Sequence, residues 1–252
     1  MKSTLPATVS DVDLEVSGLA VRYRRANGPV MALMNRIGGS LEAQLDLLPK
    51  GFRGQIEVVT AQALGRAMDV AAYGDKAPDF GPRGPMAAAM VSGAAGGLGG
   101  LATSLAELPV TITIILHAIR RAAASNGFDP DTPGVRAECL AVFGAGSPLA
   151  GDDGVNTSFL GARLAVTGPA LQSLIAKVAP RLAAALGPKL VAQSVPLLGA
   201  VAGAGLNAAY ISYYREIADI RFGLLRLAER HGVDAVLVAF GQATQPAAII
   251  KA

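Results

Sequence analysis

The sequence predicts an all-α fold, a multi-helix bundle built on Gly/Ala-rich, close-packed apolar helix hairpins. Apolar residues recur at spacings of three and four over long segments, and no segment shows the period-two alternation of a strand. Hydrophobic residues make up 52% of the chain and charged residues 16%, against about 25% charged in ordinary soluble domains. With 30 glycines and 5% aromatic residues, the composition favours helices that approach each other closely.

The first part of the chain predicts an N-terminal segment followed by one domain. Residues 1–27 are expected to form an arm or a short helix, and Gly28-Pro29 predicts a break after it. Residues 28–252 are expected to form a single helical domain, with N-terminal helices in 28–73, a glycine- and proline-rich loop in 74–85 and the main apolar body in 86–252. The clearest early helix is 52–73, where Ile56, Val59 and Ala63 share one face.

Two long stretches, residues 84–106 and 190–214, contain no charged residue. Each is long enough for a membrane-spanning helix, which needs about 20 apolar residues. Their glycines, and polar residues such as Ser92 and Gln193, oppose insertion. We therefore predict buried or interfacial helices, with a true membrane span as the alternative.

The remaining helices are predicted from apolar residues at helical spacing and from the glycine and proline positions that interrupt them. Asn126-Gly127 is predicted to end the helix that follows the first uncharged stretch, and Thr132-Pro133 is predicted to start the next one. Residues 160–186 are expected to be helical with breaks at Gly168-Pro169 and at Pro180. Residues 206–231 show the strongest helical periodicity, and the β-branched run 233–238 is too short to indicate a sheet.

Charge, cysteine content and the N-terminal residues limit the cellular locations and partners that we expect for the protein. The net charge is +3, but the arginines are dispersed and form no basic stripe, so no nucleic-acid partner is expected. The single cysteine, Cys139, excludes an internal disulfide and fits a reducing compartment, and we interpret it as a buried, inert thiol. Residues 1–27 lack the apolar segment of a secretory signal. We expect a cytoplasmic, peripheral membrane protein, with an integral membrane protein as the alternative.

No complete catalytic or metal-binding motif is present. A nucleophile elbow and a P-loop are both absent, and His117 and His231 lie in no metal-ligand spacing. Residues 97–102 resemble GxGxxA, but no strand precedes them, which favours a close-packed turn over a nucleotide site. No catalytic residue, metal or cofactor is expected, and an enzymatic role is less expected than a binding role.

Glu107 is the one acid in a long apolar segment. Ser104 and Glu107 match a capping box, which would account for the acid by itself. The alternative is a functional carboxylate that faces His117 or an arginine across an apolar groove. Asp129 lies in a turn whose Asx and proline residues account for it locally, and Arg215–Asp219 is expected to be an i,i+4 ion pair.

The order of several short motifs resembles the EcsC family. These motifs are Gly96-Gly-Leu-Gly-Gly, Ala106-Glu-Leu-Pro109, Arg120-Arg121 at the end of an Ile-rich helix and Gly127-Phe-Asp-Pro130, then 195–203, Asn207, Tyr213-Tyr214-Arg215 and 218–227. Residues 48–71 are also similar to the family's early helix, so the resemblance covers about residues 45–231. It implies a helical bacterial protein that is linked by name to a transporter operon, and it implies no reaction.

The resemblance and the composition together set the functional expectation. We expect a membrane-associated or lipid-binding protein, with a hydrolase acting on a lipid-like substrate or an adaptor for an integral membrane partner as alternatives. Expected partners are a membrane surface or lipid-like ligand, a membrane transporter, or a second copy of the chain. The candidate ligand-binding residues, several of them carried over from the family motifs, are Glu107, His117, Arg120, Arg121, Asp129, Asn207 and Arg221.

Overall fold

A computed structural model of the chain describes residues 11–37, 51–74, 84–144, 168–193 and 198–244. Within these ranges there are helices and no strand, so the all-α prediction is confirmed. The helices are α1 Asp11–Ile37, α2 Phe52–Gly74, α3 Gly84–Leu98, α4 Leu101–Ser125, α5 Pro133–Gly144, α6 Gly168–Ala192, α7 Leu198–His231 and α8 Val233–Thr244.

Helix α4 is the centre of the bundle and contacts α2, α3, α5, α6 and α7. Its stripe of Leu108, Ile112, Ile115 and Ile119 is buried almost completely, as the spacing predicts. The stripe joins one large core to apolar residues of α2, α5, α6 and α7. Burial of this stripe stabilises the helix far more than its local propensity does.

Helices α3 and α7 form the tightest contact in the bundle, and glycine makes it possible. A methyl group at Gly93 would lie 2.2 Å from the carbonyl oxygen of Gly203, and one at Gly97 would lie 2.0 Å from that of Gly199. As the numbering rises along α3 it falls along α7, so the two helices are antiparallel. The prediction of close-packed Gly/Ala-rich helices is borne out at these positions.

A second, smaller core lies around the C-terminal half of α7. Val16 and Ala20 of α1 and Phe240 of α8 pack there on Ile220 and Leu224 of α7. This core anchors both ends of the described chain on one long helix. The run 233–238, which contains several β-branched residues, is helical here because packing in this core overrides its weak strand preference.

Two predicted breaks are wrong. Helix α1 continues through Gly28-Pro29, so the boundary placed between residues 27 and 28 falls inside a helix, and α6 continues through Pro180. Proline removes one hydrogen bond from a helix but keeps a helical φ, and both helices pack on neighbours that offset this cost. Gly168-Pro169, in contrast, is the start of α6, where proline is well tolerated.

Other predicted ends agree with the structure. α4 stops at Ser125, Gly127 takes a positive φ of 88° after it, and α5 starts at Pro133. The early helix predicted at 52–73 is α2, Phe52–Gly74. The predicted helix over 30–48 is described only as far as Ile37. The predicted loop over 74–85 is wrong at its ends, because Gly74 closes α2 and residues 84 and 85 begin α3, while residues 75–83 lie outside the described part of the chain.

One described helix, α4, is long and apolar enough to cross a membrane. This is weak evidence for a span, because half of its apolar window is buried inside the protein. Helix α4 also carries Glu107 and Arg120, whose charged groups are bound by other parts of the chain. We interpret α4 as the core helix of the bundle.

Candidate functional site

A cluster of polar side chains lies inside the apolar core where α3, α4, α6 and α7 meet. We call it the buried polar cluster, and its members are Ser92, Glu107, Thr111, Lys189 and Asn207. Four of them are between 0% and 7% exposed, and Ser92 is half-buried. Because polar groups in a core cost free energy unless they bond each other, the arrangement of their bonds decides what the cluster can do.

Glu107 is the centre of the cluster. Lys189 forms an ion pair with its Oε2, while Thr111, Ser92 and Asn207 all donate to its Oε1, the Ser92 bond measuring 2.5 Å and the Asn207 bond 2.9 Å. The carboxylate is therefore bonded from four directions. A group so fully engaged holds four helices together.

The remaining bonds of the cluster complete this cross-link. The Lys189 Nζ donates to Thr111 Oγ1 at 2.9 Å, and the Asn207 amide donates to the carbonyl oxygen of Ala89 at 2.8 Å. One turn beyond Lys189, the amide of Gln193 donates to the carbonyl oxygen of Gly93 at 2.8 Å. Backbone carbonyls of α3 are thus bound by a side chain of α7 and by that of Gln193, the residue that follows α6.

The electrostatics of the ion pair follow from burial and proximity. Burial alone would raise the pKa of Glu107, but the nearby Lys189 ammonium and the hydrogen bonds from Lys189, Ser92 and Thr111 hold that pKa below its ordinary value. Burial lowers the pKa of Lys189, and the attraction of Glu107 only partly offsets this. Glu107 is therefore a stable carboxylate and not a proton donor at neutral pH.

The capping box predicted at Ser104 and Glu107 is wrong. Helix α4 begins at Leu101, four residues earlier than a Ser104 cap requires, and its N-cap residue is Gly100 with a φ of 75°. Ser104 instead donates within α4's first turn and to α3, at 2.8 Å to Gly100 O and 3.0 Å to Gly96 O. The alternative prediction was that Glu107 faces His117 or an arginine. The cation beside Glu107 is instead Lys189 of α6.

The structure brings together only two of the predicted site residues, Glu107 and Asn207. His117 lies ten residues further along α4, about 15 Å away at 1.5 Å per residue. Arg120 is buried and binds Asp131 at 2.9 Å and the Pro130 carbonyl at 3.0 Å, so it fastens the α4–α5 turn. Arg221 is likewise buried, and it binds Glu138 of α5 at 2.8 and 2.6 Å.

Asp129 and Arg121 lie apart from the cluster. Asp129 is exposed and accepts a 2.9 Å bond from the backbone N–H of Asp131, which confirms its local turn role. Arg121 is exposed and lines a pocket between α4 and α7. Cys139 is fully buried, as predicted.

Sequence reasoning missed Lys189. A signal was present, because Lys189 is the sole charged residue between Arg181 and Arg215, and Glu107 is the sole one between Arg83 and Arg120. An anion and a cation isolated in two long apolar segments must pair if both segments are buried. The described residues contain no group of three or more potential metal ligands.

A protein-family model matches the part of the chain that contains this site. The model of the EcsC protein family matches residues 84–226, more than half of the chain, from the start of α3 to the last part of α7. Neither the curated proteins nor the solved structures contain a match. The matched range includes all five residues of the buried polar cluster and both glycine pairs. The chain therefore belongs to the EcsC protein family.

Proposed function

We propose that this protein binds the surface of a lipid bilayer through the outer side of the antiparallel pair formed by α3 and the first part of α7. We call this pair the α3–α7 hairpin, although the two helices are not consecutive in the chain. We call its outer side the hairpin surface, and it consists of Met90, Val91 and Leu98 of α3 and Val201 of α7. The observation that carries the proposal is that these large apolar side chains are exposed, Val91 by 70% and Val201 by 77%. Exposed apolar patches of this kind mark interaction sites.

Uncharged surroundings favour lipid as the partner. Helix α3 has no charged residue, and α7 has none before Arg215. A protein interface includes about one hydrogen bond per 100–200 Å² of buried area and a polar rim. The hairpin surface offers few such groups, whereas lipid tails require none.

The length of the hairpin favours shallow insertion. With 15 residues, α3 is about 22 Å long, which is less than the roughly 30 Å of a bilayer's hydrocarbon core. Gly93 and Gly97 of α3 contact α7, and Gly96 faces Glu107 of α4, so the opposite side of the helix is the one left for lipid. This geometry favours a peripheral protein.

The hydrolase alternative has less support. It requires a nucleophile beside a base at an accessible place. Ser92 and Thr111 do lie next to Glu107 and Lys189, but the ion pair is almost fully buried. Neither Glu107 nor Lys189 lines the pocket between α4 and α7 or the pocket between α2 and α4. The adaptor alternative relied on a small-residue helix surface, and Gly93, Gly97, Gly199 and Gly203 face each other within the chain.

Vesicle flotation tests the proposal with matched aspartate variants. Val91→Asp and Val201→Asp should each reduce binding to phosphatidylcholine vesicles by about tenfold or more, because each removes a buried Val contribution and adds a charge. Val58→Asp is the control, since Val58 is 56% exposed on α2, away from the hairpin. Equal binding by all three variants, or no binding by the unmodified protein, would contradict the proposal. A dimer that Val91→Asp dissociates, without vesicle binding, would assign the surface to a second copy.

A further inference from the structure

Two acids of the pocket between α4 and α7 are bound from outside it. Arg22 of α1 binds Glu216 at 2.7 and 3.0 Å and Asp219 at 2.7 Å, and Asn126 donates to the other oxygen of Asp219 at 3.0 Å. The predicted Arg215–Asp219 pair is therefore wrong, because the cation beside Asp219 is Arg22. A second pocket, between α2 and α4, has a simpler composition.

This second pocket has a volume of about 500 Å³, and we call it the α2–α4 groove. Small-molecule sites have volumes of about 300–1,000 Å³. The space exists because alanine occupies several of the positions where the two helices face each other, namely Ala63 and Ala67 of α2 and Ala102 and Ala106 of α4. Larger side chains at these positions would fill the groove.

The α2–α4 groove has an apolar floor and a polar rim on the side of α2. Ala63 and Ala67 are 5% and 1% exposed and form the floor, and the half-buried Leu105 forms part of the wall. Gln62 and Arg66 line the groove too, and both are exposed. They are neighbours on one face of α2, because residues four apart lie one turn apart in a helix. A ligand can therefore bury an apolar part on the floor while a polar head lies at the rim.

Arg66 supplies the charge of the α2–α4 groove. Among the described residues that line the groove, no other is charged, and Arg66 makes no hydrogen bond or ion pair within the described part of the chain. A guanidinium binds a carboxylate through two parallel hydrogen bonds, and the amide of Gln62 can donate a further one. The rim therefore complements one carboxylate.

The shape of the groove favours a single chain. It follows α4 from Ala102 to Thr113, about 16 Å along the helix axis. A volume of about 500 Å³ distributed over that length suits one extended alkyl chain, and the single guanidinium suits one anionic head.

We propose that the α2–α4 groove binds a single-chain carboxylic acid of the fatty-acid type. The alkyl chain packs on Ala63, Ala67 and Leu105, and the carboxylate lies at Arg66 and Gln62. No residue of the groove belongs to the hairpin surface or to the buried polar cluster. The site is therefore independent of the proposed binding to a bilayer, and the two can be tested separately.

Calorimetric titrations with decanoate and decanol separate the head from the chain, because the two ligands have chains of the same length. Arg66→Glu should weaken decanoate binding by about tenfold, since it replaces an attraction by a repulsion of similar size, and should change decanol binding by less than about twofold. Arg226→Glu is the control, because it makes the same charge change at an exposed arginine of α7. It should weaken decanoate binding by less than about twofold, since distant exposed charges are screened.

Filling the groove tests the position of the alkyl chain. Ala106 lines the groove and is exposed, so a larger side chain fits there without disturbing the core. Ala106→Leu should weaken the binding of decanoate and of decanol by about tenfold each, because it occupies the space of about two methylene groups. Ala235→Leu, at an exposed position of α8, is the control and should weaken neither.

The outcomes decide between the groove and other places on the molecule. Decanoate binding that Arg66→Glu or Ala106→Leu leaves unchanged would overturn the site, as would the absence of decanoate binding by the unmodified protein. Decanoate binding that Val91→Asp abolishes and Ala106→Leu does not would assign the alkyl chain to the hairpin surface and overturn the groove. Intact decanoate binding by a protein that binds no vesicles would support the groove and contradict only the proposed binding to a bilayer.

Discussion

At the scale of single residues, the Glu107–Lys189 pair decides how the core is closed. Two opposite charges inside an apolar bundle lose their hydration, and their attraction and hydrogen bonds compensate for it only while both are present. The main effect of the pair is therefore to determine which helices pack together, and its net contribution to stability is small. Its partners Thr111 and Asn207 complete the bonds that Glu107 needs.

Removing one charge of this pair should be costly. Glu107→Gln keeps the shape but leaves the Lys189 ammonium buried without a counter-charge, so we expect a loss of about 3–5 kcal/mol in the free energy of unfolding, measured in urea. Glu107→Gln/Lys189→Met should recover most of that loss. Glu15→Ala is the control, because Glu15 pairs with Arg230 at the surface and should cost less than about 1 kcal/mol.

The pH dependence of the same variant provides an internal check. Since the pKa of Glu107 is lowered in the folded protein from an ordinary 4.5, the unfolded chain takes up the proton first as pH falls. The stability that the ionised Glu107 contributes is complete above its ordinary pKa of 4.5 and is lost as the pH falls through its lower pKa in the folded protein. The difference in stability between the unmodified protein and Glu107→Gln should therefore shrink below about pH 4.5. A constant difference would mean that Glu107 is not ionised in the native state.

How far the sequence predicts this site can be judged from the same residues. Glu107 stands out as an isolated acid, and Asn207 was selected through the family motifs. Lys189 stands alone in a long uncharged segment, but it was missed because that isolation does not say which residue it pairs with. The partners lie 82 residues apart in the chain, and only the packing of α4 on α6 brings them together.

At the scale of helices, the α3–α7 contact depends on the absence of side chains. A Cβ at Gly203 would lie 2.1 Å from the carbonyl oxygen of Gly93, and backbone cannot move aside as a flexible side chain can. Gly205, two residues further along α7, has open space around it. Substitutions at Gly203 and Gly205 therefore distinguish the effect of helix packing from the effect of helix propensity.

Alanine at these two glycines should have opposite effects. Gly203→Ala should destabilise the protein by about 1–3 kcal/mol, because the helices must separate. Gly205→Ala should stabilise it by as much as about 1 kcal/mol, because alanine favours the helix. Thermal unfolding measures both changes. The close-contact interpretation of α3 and α7 fails if Gly203→Ala melts at or above the temperature of the unmodified protein.

At the scale of the whole molecule, apolar and charged surfaces lie at different places. Helix α3 and the part of α7 before Arg215 carry no charge, while Arg22, Arg121, Arg215, Glu216 and Asp219 gather where α3 begins. In the proposed binding to a bilayer, such a separation gives the protein a defined orientation.

A tryptophan can report that orientation, because the chain contains none. Leu98→Trp at the hairpin tip should shift its emission to the blue and be quenched by bromine on lipid chains when vesicles are added. Leu14→Trp, at a position 61% exposed on α1, should do neither. If both tryptophans respond equally, the protein adsorbs without a preferred face.

The sequence by itself determined the fold class, most helices and the apolar character of the hairpin, because periodicity, glycine content and missing charges are local properties. It misplaced the ends at Gly28-Pro29 and Pro180, where packing outweighs the cost of proline. Only the tertiary structure decided that Glu107 pairs with Lys189, that Asp219 binds Arg22 and leaves Arg215 at a pocket, and which side of α3 is exposed. Each of these depends on contacts between distant segments, and their energy exists only once the helices are packed.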